Sequence, residues 1–529
     1  MCRIAFFVLF LFPLFPILCA AQPKAKIAFN EVKGTGLAEI LTARRQLLEK
    51  RKGSALKGHE WWLWGLSAFD YDRDGDPDLL VCIHGSTNGL IIKNLRKETG
   101  KLRFVDVTKE LGVDGIVPST DTYPLMWDFD GDGDLDIAGL LDDKRTPCLI
   151  NEDGKRFRKA PFSLHPINYP AGVRDLNGDG YLDVFQIRRG KKIVCHYDPK
   201  TKTFKKTESP LKLPFALPEA IKRELTEVKA RKQNRFLKYR YINDQDLDGD
   251  GKNDLIISGF GSYSGERLGW YLAATKDGGF VDKTAMMSLP RKGTPFHFQD
   301  VDSDGDVDML IASAEKAGLY LNDGRGRFTR MPGPLTDFIK QRCPYLHKVF
   351  TADFDNDGDL DLAISNRRFG KQKIFENLGG GNFEVVLTSR GWDADPLVLT
   401  DLNDDGRMDV IIGGSGTKEN IAVFLNVTPS VGRFCKLSPR MKGPNPYAVG
   451  TRVEVFAPGA LKVQDAHPFR VDVALPNGSP IRIGLDKAER IDLRVTFPGM
   501  RPKQYENVEV SPWLEITPEN GIRKRSVSP

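Results

Sequence analysis

Short apolar runs rich in valine, isoleucine and leucine recur along the chain: "LLVCI", "LIISG", "MLIAS", "LAISN" and "VIIGG". Each is bounded by glycine or polar residues and is too short for a helix, so each predicts a buried β-strand. What precedes them is a dense block of acids. Residues 128–136 read "DFDGDGDLD", five carboxylates in nine residues. Two carboxylates about 4 Å apart repel by roughly 4 kcal/mol at an effective dielectric near 20, so such a block stays folded only around a cation.

The block is one copy of a nine-residue pattern, D-x-[DN]-x-D-G-x-x-D, that occurs seven times. Alternating side chains at positions 1, 3 and 5 converge on one point, and glycine at position 6 permits the sharp turn. Position 7 offers its backbone carbonyl, and the aspartate at position 9 closes the shell. The candidate ligand positions are Asp70, Asp72, Asp74, Asp76 and Asp78 in the first loop, then Asp128, Asp130, Asp132, Asp134 and Asp136. The third and fourth loops offer Asp175, Asn177, Asp179, Tyr181 and Asp183, then Asp246, Asp248, Asp250, Lys252 and Asp254. The fifth and sixth offer Asp300, Asp302, Asp304, Asp306 and Asp308, then Asp353, Asp355, Asp357, Asp359 and Asp361. The seventh offers Asp401, Asn403, Asp405, Arg407 and Asp409. A flexible cage of oxygens suits calcium better than magnesium, which demands stricter octahedral geometry, so about seven structural calcium ions are expected.

An EF-hand shares the first six positions but needs a bidentate glutamate at position 12 and flanking helices. Here position 12 is Val81, Gly139, Gln186, Ile257, Ile311, Ile364 and Ile412, and strand-like residues follow. An EF-hand is excluded. The loops start at residues 70, 128, 175, 246, 300, 353 and 401, a spacing that suits a four-stranded propeller blade. A second signature, an Asn, a Gly-rich turn and a Phe, recurs at residues 151–157, 322–328 and 377–383 and predicts a closing hairpin. The expected fold is therefore all-β: a seven-bladed β-propeller with calcium-binding blade loops, followed by a small C-terminal β domain. The seventh unit is short, whereas residues 28–37 match a unit ending without a loop before them. An N-terminal strand is thus expected to complete the last blade and remove a free edge.

Residues 1–21 have the layout of a secretory signal peptide: Arg3, an apolar run broken by Pro13 and Pro16, and small residues at the end. A secreted, extracellular or periplasmic protein is expected, with no membrane span in the mature chain. Cys82, Cys148, Cys195, Cys343 and Cys435 are odd in number and scattered, which predicts buried thiols rather than a disulfide framework.

With these residues in hand, the chain resembles the FG-GAP/VCBS repeat family, whose members fold as calcium-loaded propellers, as in integrin α-subunit heads. The resemblance implies that each loop joins two strands of a blade and binds calcium. Residues 445–457, 480–508 and 514–518 resemble the ASPIC/UnbV domain, with Phe497 where a Trp is common and Pro446-Tyr447 in place of a more polar pair. The implied division is a signal peptide at 1–21, a propeller at 22–428, an ASPIC/UnbV-like domain at 429–520 and a tail at 521–529.

The formal net charge of +6 conceals a division, because the seven loops hold 31 of the 71 acidic residues. The remaining surface is basic, notably "RRGKK" at 188–192, "KTKTFKK" at 200–206 and "NRRFGKQK" at 366–373. The expected role is a binding or adhesion module for an extracellular protein or an anionic polysaccharide; export and the lack of a binding fold argue against nucleic acid. A scaffold for a cell-surface complex is another reading. Residues 218–240 predict a basic helix inserted before the fourth loop. The alternative is a carbohydrate-active enzyme, a lyase or dehydratase, built on the propeller. Against it, no HExxH, GxSxG or P-loop occurs, and His297 and His347 are isolated. Trp61, Trp62 and Trp64 cluster before the first loop and suit core packing or sugar stacking.

Overall fold

The computed structural model describes residues 26–52, 63–83, 89–117, 125–138, 148–161, 172–188, 191–210, 238–250, 254–260, 267–274, 280–283, 294–312, 316–342, 346–366, 372–389, 396–414, 421–429, 431–462, 468, 470–473 and 477–525. Outside them lie the expected leader, Cys343, Lys252, Trp61, Trp62 and most of the expected helix at 218–240, together with the side chains of Trp64 and His347. The end of that expected helix, 238–240, belongs instead to the strand Lys238–Gln245.

Among the described residues nine four-stranded sheets are formed, and the first seven follow the loops in order. The first runs Leu63–Phe69, Asp78–Ile83, Leu90–Asn94 and Phe104–Asp106, each strand antiparallel to the one before. The next five span Leu125–Trp127 to Arg156–Lys159, Gly172–Arg174 to Thr203–Pro210, Lys238–Gln245 to Phe280–Asp282, Thr294–Gln299 to Thr329–Met331 and Leu346–Ala352 to Phe383–Thr388. In each, the acidic loop joins the first strand to the second, and its ninth residue opens that second strand. The apolar runs that follow are fully buried, as in Asp78–Ile83 and Asp409–Gly413. Such serial antiparallel sheets, packed face on face through shared cores, form a β-propeller.

The last of these sheets takes its fourth strand from the other end of the chain. Phe29–Val32 pairs antiparallel with Ile421–Asn426, with Phe29 opposite Asn426 and Val32 opposite Val423. The Val427 N–H donates to Ala28 O at 2.8 Å and the Ala28 N–H to Thr428 Oγ1 at 3.1 Å. The strand stops at Val32, however, short of the expected stretch to residue 37, and a helix, Leu37–Lys52, begins there. Its Leu, Ala, Glu, Arg and Lys are strong helix formers. Leu37, Leu41 and Leu48, spaced by four and seven, lie on one side of it. They join a core with Leu63, Leu79 and Leu90 of the first sheet and Ile411, Ile421 and Val423 of the last. Its Arg44 is buried and pairs with Asp114 at 2.6 Å.

The remaining two sheets form a C-terminal sandwich. In one, Arg433–Pro439 lies between Ile481–Asp486, antiparallel, and Trp513–Thr517, parallel; in the other, Arg452–Phe456 lies between Arg470–Val473 and Arg490–Thr496. Cys435, Leu437, Val453, Val455, Ile483 and Leu493 share the core between the sheets. The first sheet extends past residue 520, since Gly521–Lys524 pairs with Trp513–Thr517 where a tail was expected. Cys82, Cys148, Cys195 and Cys435 are buried.

Deleting residues 26–33 removes a paired strand together with the buried Ile27. The melting temperature is expected to fall by about 5 °C or more, and the exposed edge at 421–426 to drive self-association. Calorimetry with light scattering checks both, and a truncation as stable and monomeric as the parent counts against the strand as the closing element.

Candidate metal loops

Each loop wraps around its first aspartate. Asp70 Oδ2 accepts the Gly75 N–H at 3.1 Å, Asp128 Oδ2 that of Gly133 at 2.8 Å and Asp353 Oδ2 that of Gly358 at 3.0 Å. The glycine is required because position 6 has positive φ in every loop where it is described, 96° at Gly75 and 103° at Gly358. Position 4 is left-handed as well, at Arg73, Ser303, Asn356 and Asp404, where short polar residues dominate.

The wrapping brings carboxylates together. Three side chains offer oxygens within 4.8 Å of one another in five loops: Asp70, Asp72 and Asp78; Asp128, Asp130 and Asp136; Asp246, Asp248 and Asp250; Asp300, Asp302 and Asp304; and Asp353, Asp355 and Asp357. Asp70 Oδ1, Asp130 Oδ1, Asp248 Oδ1 and Asp302 Oδ1 are buried with no hydrogen-bond partner. Buried acceptors left bare cost free energy unless a cation meets them, so these donor sets fit a hard divalent ion. Loops 3 and 7 differ. Their position 3 is an amide, and Asn177 Nδ2 and Asn403 Nδ2 donate to Asp179 Oδ2 at 2.9 Å and Asp405 Oδ2 at 3.0 Å.

In loops 1, 2, 3 and 7 the position 7 side chain meets a partner of its own, whereas in loop 5 the Asp306 carboxyl bonds to Asp304 within the cluster. Asp76 binds Arg96 at 2.6 Å, Asp134 binds Arg73 at 2.9 Å, Arg407 binds Asp405 at 3.0 Å, and the Tyr181 ring packs on Tyr197 at 5.2 Å.

The ninth aspartate does more than close a shell. Asp361 accepts the Phe354 N–H and the Asn377 N–H, both at 2.8 Å, and Asp308 the Val301 and Asn322 N–H groups, also at 2.8 Å. Asp136 and Asp409 repeat the arrangement. One carboxylate thus ties its own loop to the end of the third strand.

In the sequence the asparagine at that end marks only the start of a hairpin, with no partner across sheets. Its side chain reaches the preceding sheet's loop and donates to the position 2 carbonyl: Asn151 Nδ2 to Tyr71 O at 2.8 Å, Asn322 to Leu247 O at 3.0 Å, Asn377 to Val301 O at 2.7 Å and Asn426 to Phe354 O at 2.7 Å. Asn94 does so to Leu402 O at 3.2 Å, joining the first sheet to the last. The recurrent Asn at the start of the hairpin signature was the available signal.

Burial raises the loop carboxyls. Asp70 is pushed up to about 7 by desolvation and by Asp74 and Asp72, and Asp128 to about 7 by desolvation with smaller contributions from Asp132 and Asp130. Desolvation carries Asp300 to about 6, and Asp308 and Asp409 to about 8. Some loops carry counter-charges: Lys93 Nζ lies 3.1 Å from Asp74 and 2.7 Å from Glu98, and Lys283 Nζ 2.6 Å from Asp248. Burial pushes His297 down to about 4, and its Nε2 is buried with no hydrogen-bond partner among the described residues.

The FG-GAP-like repeat pattern matches residues 128–186, 300–364 and 353–412, each beginning on a loop's first aspartate. The chain carries FG-GAP-like repeats. Cartilage acidic protein 1 from Homo sapiens is 26% identical over 269 residues, covering 45% of this chain and 39% of that protein. Its Xenopus tropicalis counterpart is 26% identical over 249 residues, covering 42% and 36%. The chain thus spans less than half the length of these relatives. Among solved structures, an Agrocybe aegerita lectin that recognises non-reducing terminal N-acetylglucosamine superposes with a TM-score of 0.36 at 18% identity, covering 62% of this chain and 80% of the lectin. An extracellular domain of a one-component system from B. thetaiotaomicron gives 0.32 at 10% identity, covering 85% and 56%. Similarity at that level carries no functional argument.

Two outcomes are expected. Asn377→Ala strands the Val301 and Leu360 carbonyls and should destabilise by about 2 kcal/mol with or without metal; an unchanged denaturation midpoint counts against the bridge. The raised carboxyls stabilise the metal-free fold below the ordinary carboxylate range, and this contribution is lost as pH rises through about 6 to 8. Ion binding needs the ionised forms, so the melting-temperature gain on adding a divalent ion should be large at about pH 8 and shrink towards about pH 5. Equal gains at both pH values count against the clusters as the site.

Proposed function

We propose that this is an extracellular, calcium-stabilised propeller that acts as a binding module. In this reading residues 22–428 make a closed seven-bladed ring and the sandwich beyond it is an ASPIC/UnbV-like domain. The observation that carries it is the set of buried, unpartnered carboxylate oxygens at Asp70, Asp130, Asp248 and Asp302 inside loops that repeat one ligand spacing. Calcium is the ion because the donors are all oxygens in flexible loops, with backbone carbonyls at position 7 completing the shell. Its role is structural. Bound only by the folded loops, it raises stability by mass action and stiffens the turn that opens each blade's second strand.

Extracellular placement rests on the leader-like residues 1–21 and the kinship with cartilage acidic protein 1. Among the described residues no helix is long and apolar enough to cross a membrane. The ligand class follows from charge: once calcium offsets the loops, the remaining surface is basic and favours an anionic polysaccharide or an acidic protein surface. Within "KTKTFKK", Lys205 and Lys206 pair with Asp198 at 2.6 Å and Glu208 at 3.3 Å, which reduces the charge that run presents.

Chelation should lower the melting temperature by about 10 °C or more, and calcium should restore it ahead of magnesium. A melt that ignores chelator removes the metal. Calcium-loaded protein on an array of sulfated and uronic-acid glycans should bind in a salt-sensitive way; binding to neutral glycans alone overturns the charge argument.

A further inference from the structure

The C-terminal sandwich sits on the acidic loops themselves. Tyr447 Oη donates to Gly133 O in loop 2 at 2.9 Å. Pro444 packs against Gly131 of loop 2 and Gly180 of loop 3, where an added Cβ would come within 3.0 and 3.2 Å of it. On the other side, the Gly432 N–H donates to Asp355 O and the Asp486 N–H to Asn356 O in loop 6, both at 2.8 Å.

One strand, Ile481–Asp486, touches two loops from one face. A Cβ on Gly484 would lie 1.7 Å from Asp353 Oδ2, the first ligand position of loop 6. Two residues earlier, Arg482 Nη1 meets Asp401 Oδ2, the first ligand position of loop 7, at 3.1 Å, and its Nη2 meets Gly406 O. Lys436 adds contacts to Asp401 Oδ2 at 3.1 Å and Asp404 Oδ1 at 2.6 Å. The donors gather on Asp401 Oδ2, while Oδ1 accepts the Asp405 N–H at 3.1 Å.

These contacts fall on loop positions 1, 3, 4 and 6, whose places are fixed only when the loop has wrapped. We propose that the sandwich docks through ion-organised loops, so that ion occupancy of loops 2 and 6 and seating of the sandwich are mutually coupled. The proposal rests on the calcium reading above. An ion draws the carboxylates inward and sets the carbonyls that Gly432, Asp486 and Tyr447 meet. By reciprocity, a seated sandwich holds those loops in their binding form. Arg482 and Lys436 are positioning residues in this scheme, since they hold the Asp401 oxygen that also caps the Gly406 N–H.

The test is amide hydrogen exchange on the full chain with calcium and with chelator. The Gly432 and Asp486 amides should exchange roughly tenfold faster without calcium, while Leu493 in the sandwich core holds. Gly484→Val should speed the same two amides even with calcium present. It should also weaken calcium binding several-fold at a subset of sites by calorimetric titration. If the loop amides of Gly75 and Gly305 respond to calcium but Gly432 and Asp486 do not, the coupling is wrong and the calcium reading stands. If no loop amide responds, both fall. Should Gly484→Val fail to fold, the wild-type exchange alone still decides.

Discussion

A single buried carboxylate, repeated at the end of every loop, underlies the architecture. At Asp308, Asp361 and Asp409 it accepts two backbone N–H groups, one from its own loop and one from the end of the third strand. Charge-assisted bonds of this kind are short and strong. They are also exposed to failure, because burial drives the carboxyl towards its neutral form; Asp136 and Asp361 are pushed well above the usual range by desolvation. A cation close by resolves the conflict by favouring the ionised form that the amides need. On the proposed reading the carboxylate clusters and the brace are one device, in which a bound ion keeps charged a group whose main work is to hold strands in register.

From that device the ring is assembled sheet by sheet. The residue whose N–H the brace accepts is, in five sheets, an asparagine whose side chain crosses to the neighbouring loop, so loop geometry in one sheet sets the angle of the next. Hydrophobic cores then fill the wedges, as where Trp127, Phe129 and Val184 pack across the second and third sheets. The loops are nonetheless not equivalent. An ammonium sits beside loop 1 and another beside loop 4, while loop 7 meets Arg482 and Lys436 from the sandwich.

Much of this was legible before any coordinates, and what was hidden has physical reasons. Ligand spacing and strand burial are local, written in alternation and in glycine at position 6, so the loops, strands and serial sheets could be read. The partners of the crossing asparagines could not, because they lie 72 residues away or more and only the folded propeller brings them close. The helix at 37–52 shows in its composition, but residues 28–37 also resemble a strand ending, which hides where the strand stops. Seating of the sandwich on the loops depends on Gly432 and Gly484, which in sequence are unremarked glycines and acquire meaning only from the atoms pressed against them.

The strand at Phe29–Val32 is synthesised first and used last. Its partner, Ile421–Asn426, leaves the ribosome some four hundred residues later, so the nascent protein is an open arc with one unsealed flank for almost all of its synthesis. Joining ends so distant adds little to the equilibrium cost, which grows only logarithmically with the enclosed length. It weighs on the rate, because the final pairing is as non-local as this chain allows. Whatever receives the emerging polypeptide must keep that flank from zipping onto a second copy until its own beginning arrives.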